Sequence, residues 1–184
     1  MRNLCITFLI LTIIVLGAIS INDKNQQTNT EILRIHIRAD SNEVEAQQVK
    51  YKVKDAVVEF LTPKLVDCTT TRKAEETIKS LLPDIENVCD DVLKENGYKY
   101  KSRAKINVEE FPTRVYGGMT FENGFYDALI IELGSGSGDN WWCVVYPPLC
   151  FTGGNHGYVY KSKIKQIIND FMKNKKGENN EKTS

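Results

Sequence analysis

The pattern of apolar and polar residues predicts four β-strands along the chain. In the first, residues 31–39, the apolar and polar positions alternate as Leu33, Ile35 and Ile37 against Arg34, His36 and Arg38. That alternation is typical of a half-buried strand. Residues 98–108 alternate in the same way with a basic face, residues 125–133 are apolar on both faces like a central strand, and residues 141–146 form the last strand.

Other segments repeat apolar residues every three or four positions, which predicts helices. The first helix follows three capping residue types at 40–42 and ends before Pro63. A second, capped by Thr71, breaks at Pro83, where a further helical segment begins. A terminal amphipathic helix covers residues 162–172. The order of elements predicts a single α+β domain, with a mixed, mainly antiparallel sheet packed by two or three helices.

A glycine-rich segment, Gly134 to Gly138, joins two of the predicted strands. Glycines of a phosphate-binding loop open a helix, whose N-terminus meets the phosphate. Here they lead into Trp141 and Trp142 of a strand instead. The segment is therefore predicted to be a flexible hairpin connection or a binding loop.

The N-terminus has the pattern of an export signal: a basic start at Arg2, an apolar run from Leu4 to Ile19, and small residues near its end. Cleavage after Ser20 is the expectation, and an uncleaved membrane anchor is the alternative. The predicted organisation is a signal peptide or anchor at 1–20, a flexible leader at 21–30, a single globular domain at 31–172 and a disordered tail at 173–184.

Composition and charge narrow the classes of function. The chain has 184 residues, with 24 basic and 24 acidic side chains that cancel. Such a balance disfavours nucleic-acid binding, which depends on excess positive charge. Only two histidines are present, so a three-histidine metal centre is excluded. No cofactor, metal or small-molecule substrate is predicted.

A search for catalytic residues finds no convincing arrangement. The serines near position 135 lack a nucleophile-elbow frame, and either His36 or His156 would have to serve as their base. Glu109 and Glu110 are adjacent, so on a strand they point to opposite faces and form no acid–base pair. The prediction is that the protein is not an enzyme.

Four cysteines remain in the exported part: Cys68, Cys89, Cys143 and Cys150. An even number in an exported protein permits disulfides. Cys143 and Cys150 are the expected pair, because two prolines between them can turn the chain. The alternative is that all four are small buried packing residues. The spacing contains no C-x-x-C, which argues against zinc.

Aromatic residues are dense between positions 111 and 151. Such side chains form either a core or an interface hot spot. Neighbouring residues on a strand face opposite sides, so Trp141 and Trp142 cannot both enter the same core. The region is therefore a candidate partner-binding surface, and stacking of a tryptophan on a sugar is the competing use.

Three stretches together resemble the stage II sporulation protein R family of endospore-forming bacteria. They are LRIHIRADS at 33–41 with Gln47 and the run from Lys50 to Val57, then FPTRVYG at 111–117, and NWWCVVYPPLCF at 140–151. In order and spacing they match the family over about residues 31–151. Arg38 departs from it, because valine or a similar residue is usual there.

The resemblance implies a secreted protein of sporulation, exported into the space between the forespore and mother-cell membranes. It also implies a partner: a membrane-embedded aspartic protease, which the protein would activate from the extracytoplasmic side so that it processes pro-sigma-E. The predicted partner-binding residues are Trp141, Trp142, Tyr146, Phe111, Arg114 and Tyr116.

The alternative function is an exported protein that binds or hydrolyses the cell wall. Such a hydrolase needs a carboxylate, zinc or cysteine centre, and assay of the purified protein on peptidoglycan separates the two hypotheses.

Overall fold

The computed structural model describes residues 29–116, 119–148 and 164–173. The main sheet consists of β1 (Asn29–Arg38), β2 (Ser102–Phe111), β5 (Gly124–Leu133) and β6 (Asn140–Tyr146), and a separate hairpin consists of β3 (Arg114–Tyr116) and β4 (Met119–Phe121). The helices are α1 (Val44–Leu65), α2 (Thr71–Ser80), α3 (Leu82–Glu95) and α4, residues 164–173. The predicted signal, leader and tail lie outside the described residues, apart from the ends of the leader and of the tail.

The strand order is β2-β5-β1-β6. β1 runs parallel to β5 and antiparallel to β6, and β2 runs antiparallel to β5. The sheet is therefore mixed and mainly antiparallel, and the predicted single-domain α+β fold is confirmed. Among the described residues, no helix is long and apolar enough to cross a membrane.

One face of the sheet, called the helix face below, packs against α1, α2 and α3. Three residues of the predicted apolar positions of α1, Val49, Val53 and Val57, are buried there, together with Leu33, Ile35 and Ile37 of β1. β5 adds Leu129, Ile131 and Leu133. The first helix and the first strand thus meet through the positions that their periodicities indicate.

The predicted ends of α1 are wrong at both termini. The helix continues past Pro63 to Leu65, because a proline in the last turn leaves most of the ladder intact and Leu65 is fully buried. At the start, the N-cap is Glu43, without a side-chain hydrogen bond. The capping residue types at 40–42 have another role, described below.

The predicted strand 98–108 is displaced in the structure. Residues 98–101 lie outside the strand, and β2 begins at Ser102. Ser102 is the first partner of Leu133 in β5, and its N–H donates to the Asp90 carboxylate of α3 at 2.8 Å. Strand pairing and this α3 contact, which are both non-local, set the boundary.

The predicted cap of α2 is also displaced by one residue. Thr70 rather than Thr71 caps this helix, because its side chain accepts a hydrogen bond from the N–H of Lys73.

The glycine-rich segment between β5 and β6 is not a hairpin connection, because both strands flank β1. The segment instead passes over the end of β1 and is fastened to residues 39–42. Ser135 N–H donates to Asp40 Oδ1 at 2.7 Å, Gly138 N–H to the Ala39 carbonyl at 2.8 Å, and Asp139 N–H to Asn42 Oδ1 at 2.5 Å. Residues 40–42 therefore bind this loop, and the prediction that the loop is flexible is wrong.

The glycines are needed for that close approach. A Cβ at Gly138 would lie 2.5 Å from the carbonyl carbon of Ser41, and one at Gly134 would lie 2.9 Å from Asp40 Cγ. Gly134 also has a φ of +57°, in the left-handed region that favours glycine. The glycine composition thus reflects tight packing between loop and strand end.

Lys50 of α1 fastens the loop from the other side. Its ammonium is buried and donates to Gln47 Oε1 at 2.5 Å and to the Asp139 carbonyl at 3.0 Å. Burial lowers the pKa of Lys50, and the nearby Asp139 offsets part of that effect. The side chain of Gln47 also donates to the Ser41 carbonyl at 2.9 Å. Gln47 and Lys50, both part of the family resemblance, therefore connect α1 to the glycine-rich loop.

Candidate partner-binding face

The second face of the sheet, called the hairpin face below, is also covered, so β1 is buried on both sides. Arg34 is 0% and His36 is 1% exposed, which makes the prediction of a half-buried strand wrong. The residues that cover them come from β2, the β3–β4 hairpin and β6: Phe111, Tyr116, Phe121 and Trp142. These residues lie about 80 or more positions away along the chain, so local alternation could not reveal them.

Arg34 lies among three aromatic rings. Its guanidinium carbon is 4.4 Å from the ring centre of Phe111, 4.9 Å from Tyr126 and 5.8 Å from Phe121. These are cation–π distances. Burial lowers the pKa of Arg34, although the hydroxyls of Tyr116 and Tyr126 offset part of this effect. The long side chain thus acts as the centre of an aromatic cluster.

His36 joins the aromatic cluster to a row of charges. Its ring stacks on Trp142 with centroids 3.8 Å apart, and its Nδ1 lies 2.8 Å from Glu109 Oε2. Arg38 then bridges Glu109 and Glu132 at 2.7 and 2.9 Å, and Lys105 lies 3.2 Å from Glu132. The predicted basic face of the second strand is therefore partly neutralised by carboxylates and otherwise solvent-exposed.

The His36–Glu109 pair resembles an acid–base pair, but its geometry is that of a structural contact. The imidazole is buried beneath Trp142, and its Nε2 has no access to solvent. Burial lowers the pKa of His36. The contact with Glu109 acts in the opposite direction but is outweighed, and Arg38, which forms an ion pair with the same carboxylate, adds to the lowering. A neutral ring that donates from Nδ1 to Glu109 is consistent with this environment.

Acidification below about pH 6.5, the ordinary histidine value, is expected to destabilise the domain through His36. Because burial lowers the folded-state pKa, the unfolded chain binds the proton first as pH falls, and protonation then favours unfolding. Thermal melts between pH 7.5 and 5 should show a shallower loss of stability for His36→Gln than for the unchanged chain. Equal slopes would show that His36 does not contribute.

The six predicted partner-binding residues divide by burial. Phe111 and Tyr146 are buried, and the Tyr146 hydroxyl donates to the Cys68 carbonyl at 2.9 Å. Both therefore serve packing. Trp141 and Trp142 are half-buried on opposite faces, as the alternation predicts: Trp141 packs on the helix-face core and Trp142 on the hairpin-face cluster.

The remaining two residues belong to the hairpin, which the sequence analysis did not identify. Arg114 is exposed, and Tyr116 is half-buried with its hydroxyl donating to the Trp142 carbonyl at 2.8 Å. Two three-residue strands separated only by Gly117 and Gly118 are a hairpin signal that could have revealed it. Val115, between Arg114 and Tyr116, is 64% exposed on the outer side.

The cysteines do not form a reactive centre among the described residues. Cys68 and Cys89 are buried free thiols, and burial raises the pKa of Cys89 to about 12. Neither is therefore a partner for Cys143. Cys150 lies outside the described residues, so the Cys143–Cys150 bridge stays a prediction. Within the described ranges, no group of three histidine, cysteine or acidic residues could hold a metal ion.

The three stretches that carry the family resemblance meet at this face or beside it. The first supplies β1 and the start of α1, the second supplies Phe111 and the first hairpin strand, and the third supplies β6. Their contacts are the ones described above: Trp142 on His36 and Phe111, and Tyr116 on the Trp142 carbonyl.

Comparison with known proteins agrees with this convergence. The family model described as Stage II sporulation protein R matches residues 29–156. A protein of that description from Bacillus subtilis (strain 168) is 33% identical over 165 residues, covering 83% of this chain and 74% of the relative. No solved structure matches the chain. With its three characteristic stretches packed together and most of its length matched, the chain belongs to the stage II sporulation protein R family.

Proposed function

We propose that this protein is an exported sporulation signal that acts by binding alone. It is secreted into the space between the forespore and mother-cell membranes. There it activates a membrane-embedded aspartic protease that processes pro-sigma-E. Membership of the family supports a role in sporulation, and the apolar run after Arg2 supports export. The protease supplies the catalytic groups, so this chain needs none.

The outer side of the β3–β4 hairpin carries the proposal. Val115 and its strand partner Thr120 are exposed on this side. The inner side is fixed to the sheet by Phe121 and by the Tyr116 hydroxyl. An exposed apolar side chain, held on an already ordered support, can bind a partner without a large ordering cost.

Activation by such a surface needs only a difference in affinity. A ligand that binds the active arrangement of its receptor tenfold better than the inactive one shifts the equilibrium tenfold, about 1.4 kcal/mol. The hairpin and the exposed parts of Trp142 and Tyr116 are the proposed contacts with the extracytoplasmic part of the protease.

Replacing Val115 with glutamate is expected to reduce pro-sigma-E processing at least tenfold in sporulating cells, with the melting temperature of the purified domain almost unchanged. A charge placed on an apolar contact is costly when the partner desolvates it. The readout is the ratio of processed to unprocessed pro-sigma-E on an immunoblot.

Val44→Glu is the matched control, because Val44 is 67% exposed and lies in the first turn of α1. A glutamate there is favourable to the helix and should leave processing normal. Normal processing by Val115→Glu, or an equal loss with Val44→Glu, would contradict the hairpin as the contact surface.

A further inference from the structure

β2 is an edge strand, and its outward main-chain groups fall on alternate residues. In an antiparallel pair, every second residue exchanges both main-chain hydrogen bonds with the neighbouring strand. The N–H and C=O groups of the residues between them point away from that strand. The Gly134 N–H donates to the Lys101 carbonyl at 3.0 Å, which places odd-numbered residues on the β5 side. The register with β5 is continuous from Ser102 to Phe111. Even-numbered residues therefore present N–H and C=O groups outward.

Helix α3 covers the first half of this edge. The outward N–H of Ser102 donates to Asp90 Oδ1 at 2.8 Å, and that of Ala104 donates to Glu86 Oε1 at 2.8 Å. Burial by itself would raise the pKa of the Asp90 carboxyl. The hydrogen bonds from the N–H and hydroxyl of Ser102 and the charge of the Lys101 ammonium outweigh burial, so the net pKa is lower than the ordinary value. Two carboxylates of α3 thus occupy the positions that a fifth strand would take.

The second half of the edge is open. Among the described residues, no strand, loop or side chain pairs with the outward main-chain groups of Ile106, Val108 and Glu110. Val108 is 37% exposed, and Asn107 and Glu110 are also exposed. An exposed edge with an apolar centre is a template for the pairing of another strand. Lysine and proline, which commonly prevent such pairing, do not occur between Ile106 and Glu110.

The charges beside the open half favour a basic occupant. On the helix face, Asp127 is the β5 partner of Val108, and Glu110 lies one position further along that face. Glu75 of α2 also acts on Asp127: burial raises the pKa of Asp127, and the negative charge of Glu75 raises it further. Lys79, whose positive charge lowers the pKa of Asp127, forms an ion pair with Glu75 at 2.5 Å. The net charge of these side chains beside the open half of the edge is therefore negative.

We propose that the open edge of β2, from Ile106 to Glu110, binds an extended segment of a partner polypeptide as an added β-strand. The segment carries a lysine or arginine on the side that faces Glu110 and Asp127. Main-chain hydrogen bonds supply affinity in this mode, and the alternate side chains supply specificity. The partner is the extracytoplasmic part of the protease, so the inference rests on the proposed function. The open edge would form a second contact with the protease, in addition to that of the hairpin.

The test is Val108→Pro in the full chain, assayed by pro-sigma-E processing. A proline at an outward position of an edge strand removes no ladder bond, but it removes the central donor and places a ring where the added strand would lie. Processing should fall about tenfold, as expected for one lost main-chain hydrogen bond with its partner group left unpaired. The domain should still unfold cooperatively at a similar temperature.

Ala104→Pro is the matched control, because it removes an outward N–H from the half that α3 already covers. It should lower stability through the loss of the Glu86 contact, while the folded protein still signals. If Val108→Pro does not fold, Glu110→Lys tests the same edge through an exposed side chain and should also reduce processing. Normal processing by a folded Val108→Pro or by Glu110→Lys would overturn the proposal.

Three other outcomes are also decisive. If the unchanged chain is a dimer and Val108→Pro is a monomer with normal processing, the edge serves self-association and the proposal is wrong. If Val115→Glu loses processing but Val108→Pro does not, the proposed function holds without strand addition. If deletion of the whole chain leaves processing normal, the proposed function itself fails.

Discussion

Replacing Phe111 with alanine is expected to lower the free energy of unfolding by about 4 kcal/mol. For a domain of this size, that corresponds to a fall of about 12 °C in melting temperature. Phe111 is fully buried, and its ring contacts the rings of His36, Trp142 and Tyr126 and faces the Arg34 guanidinium. Its removal would leave a cavity beside a buried cation.

The control for Phe111→Ala is Val115→Ala, an exposed position on the same side of the sheet, where a change below about 0.5 kcal/mol is expected. Chemical denaturation followed by tryptophan fluorescence measures both variants. A Phe111→Ala protein with normal stability and lost signalling would show that Phe111 contacts the partner, as the sequence analysis predicted, and is not part of the core.

Gly138→Ala is expected to cost about 3 kcal/mol of stability, because its Cβ would overlap main-chain atoms of Ser41 that cannot move aside separately. The loop would have to withdraw, and the N–H bond of Gly138 to Ala39 would be strained with it. The melting temperature should fall by about 9 °C.

Gly97→Ala separates steric overlap from the general cost of losing a glycine. Gly97 has a φ of +83°, but no atom lies within 4 Å of a Cβ placed there. Only backbone strain is added, about 1 kcal/mol. Equal effects of the two substitutions would mean that the loop between β5 and β6 adapts freely, as its glycine content first suggested.

Where structure depends on local periodicity, the sequence predicted it well. β1, β5 and β6 and the buried stripe of α1 follow directly from residue spacing. The ends of elements were less predictable, because distant residues determine them. Residues 40–42 have the side chains of a helix cap, but they bind the glycine-rich loop about 95 residues later in the chain.

In the candidate site, too, local features could be predicted from the sequence, whereas features that depend on distant residues could not. The aromatic residues could be identified from composition, and alternation correctly separated Trp141 from Trp142. The burial of Arg34 and His36 could not be predicted, because arginine and histidine on an alternating strand ordinarily face water. Phe111 of β2, the hairpin and β6, which follow about 80 or more residues later, make that face part of the interior.

Activation of the protease by contact with this domain can be measured by reconstitution. The membrane-embedded protease and pro-sigma-E are combined in vesicles, and the purified domain without residues 1–20 is added to the extracytoplasmic side. Cleavage of pro-sigma-E should depend on the added domain, and Val115→Glu, but not Val44→Glu, should abolish the stimulation. Cleavage at the same rate with and without the domain would contradict it.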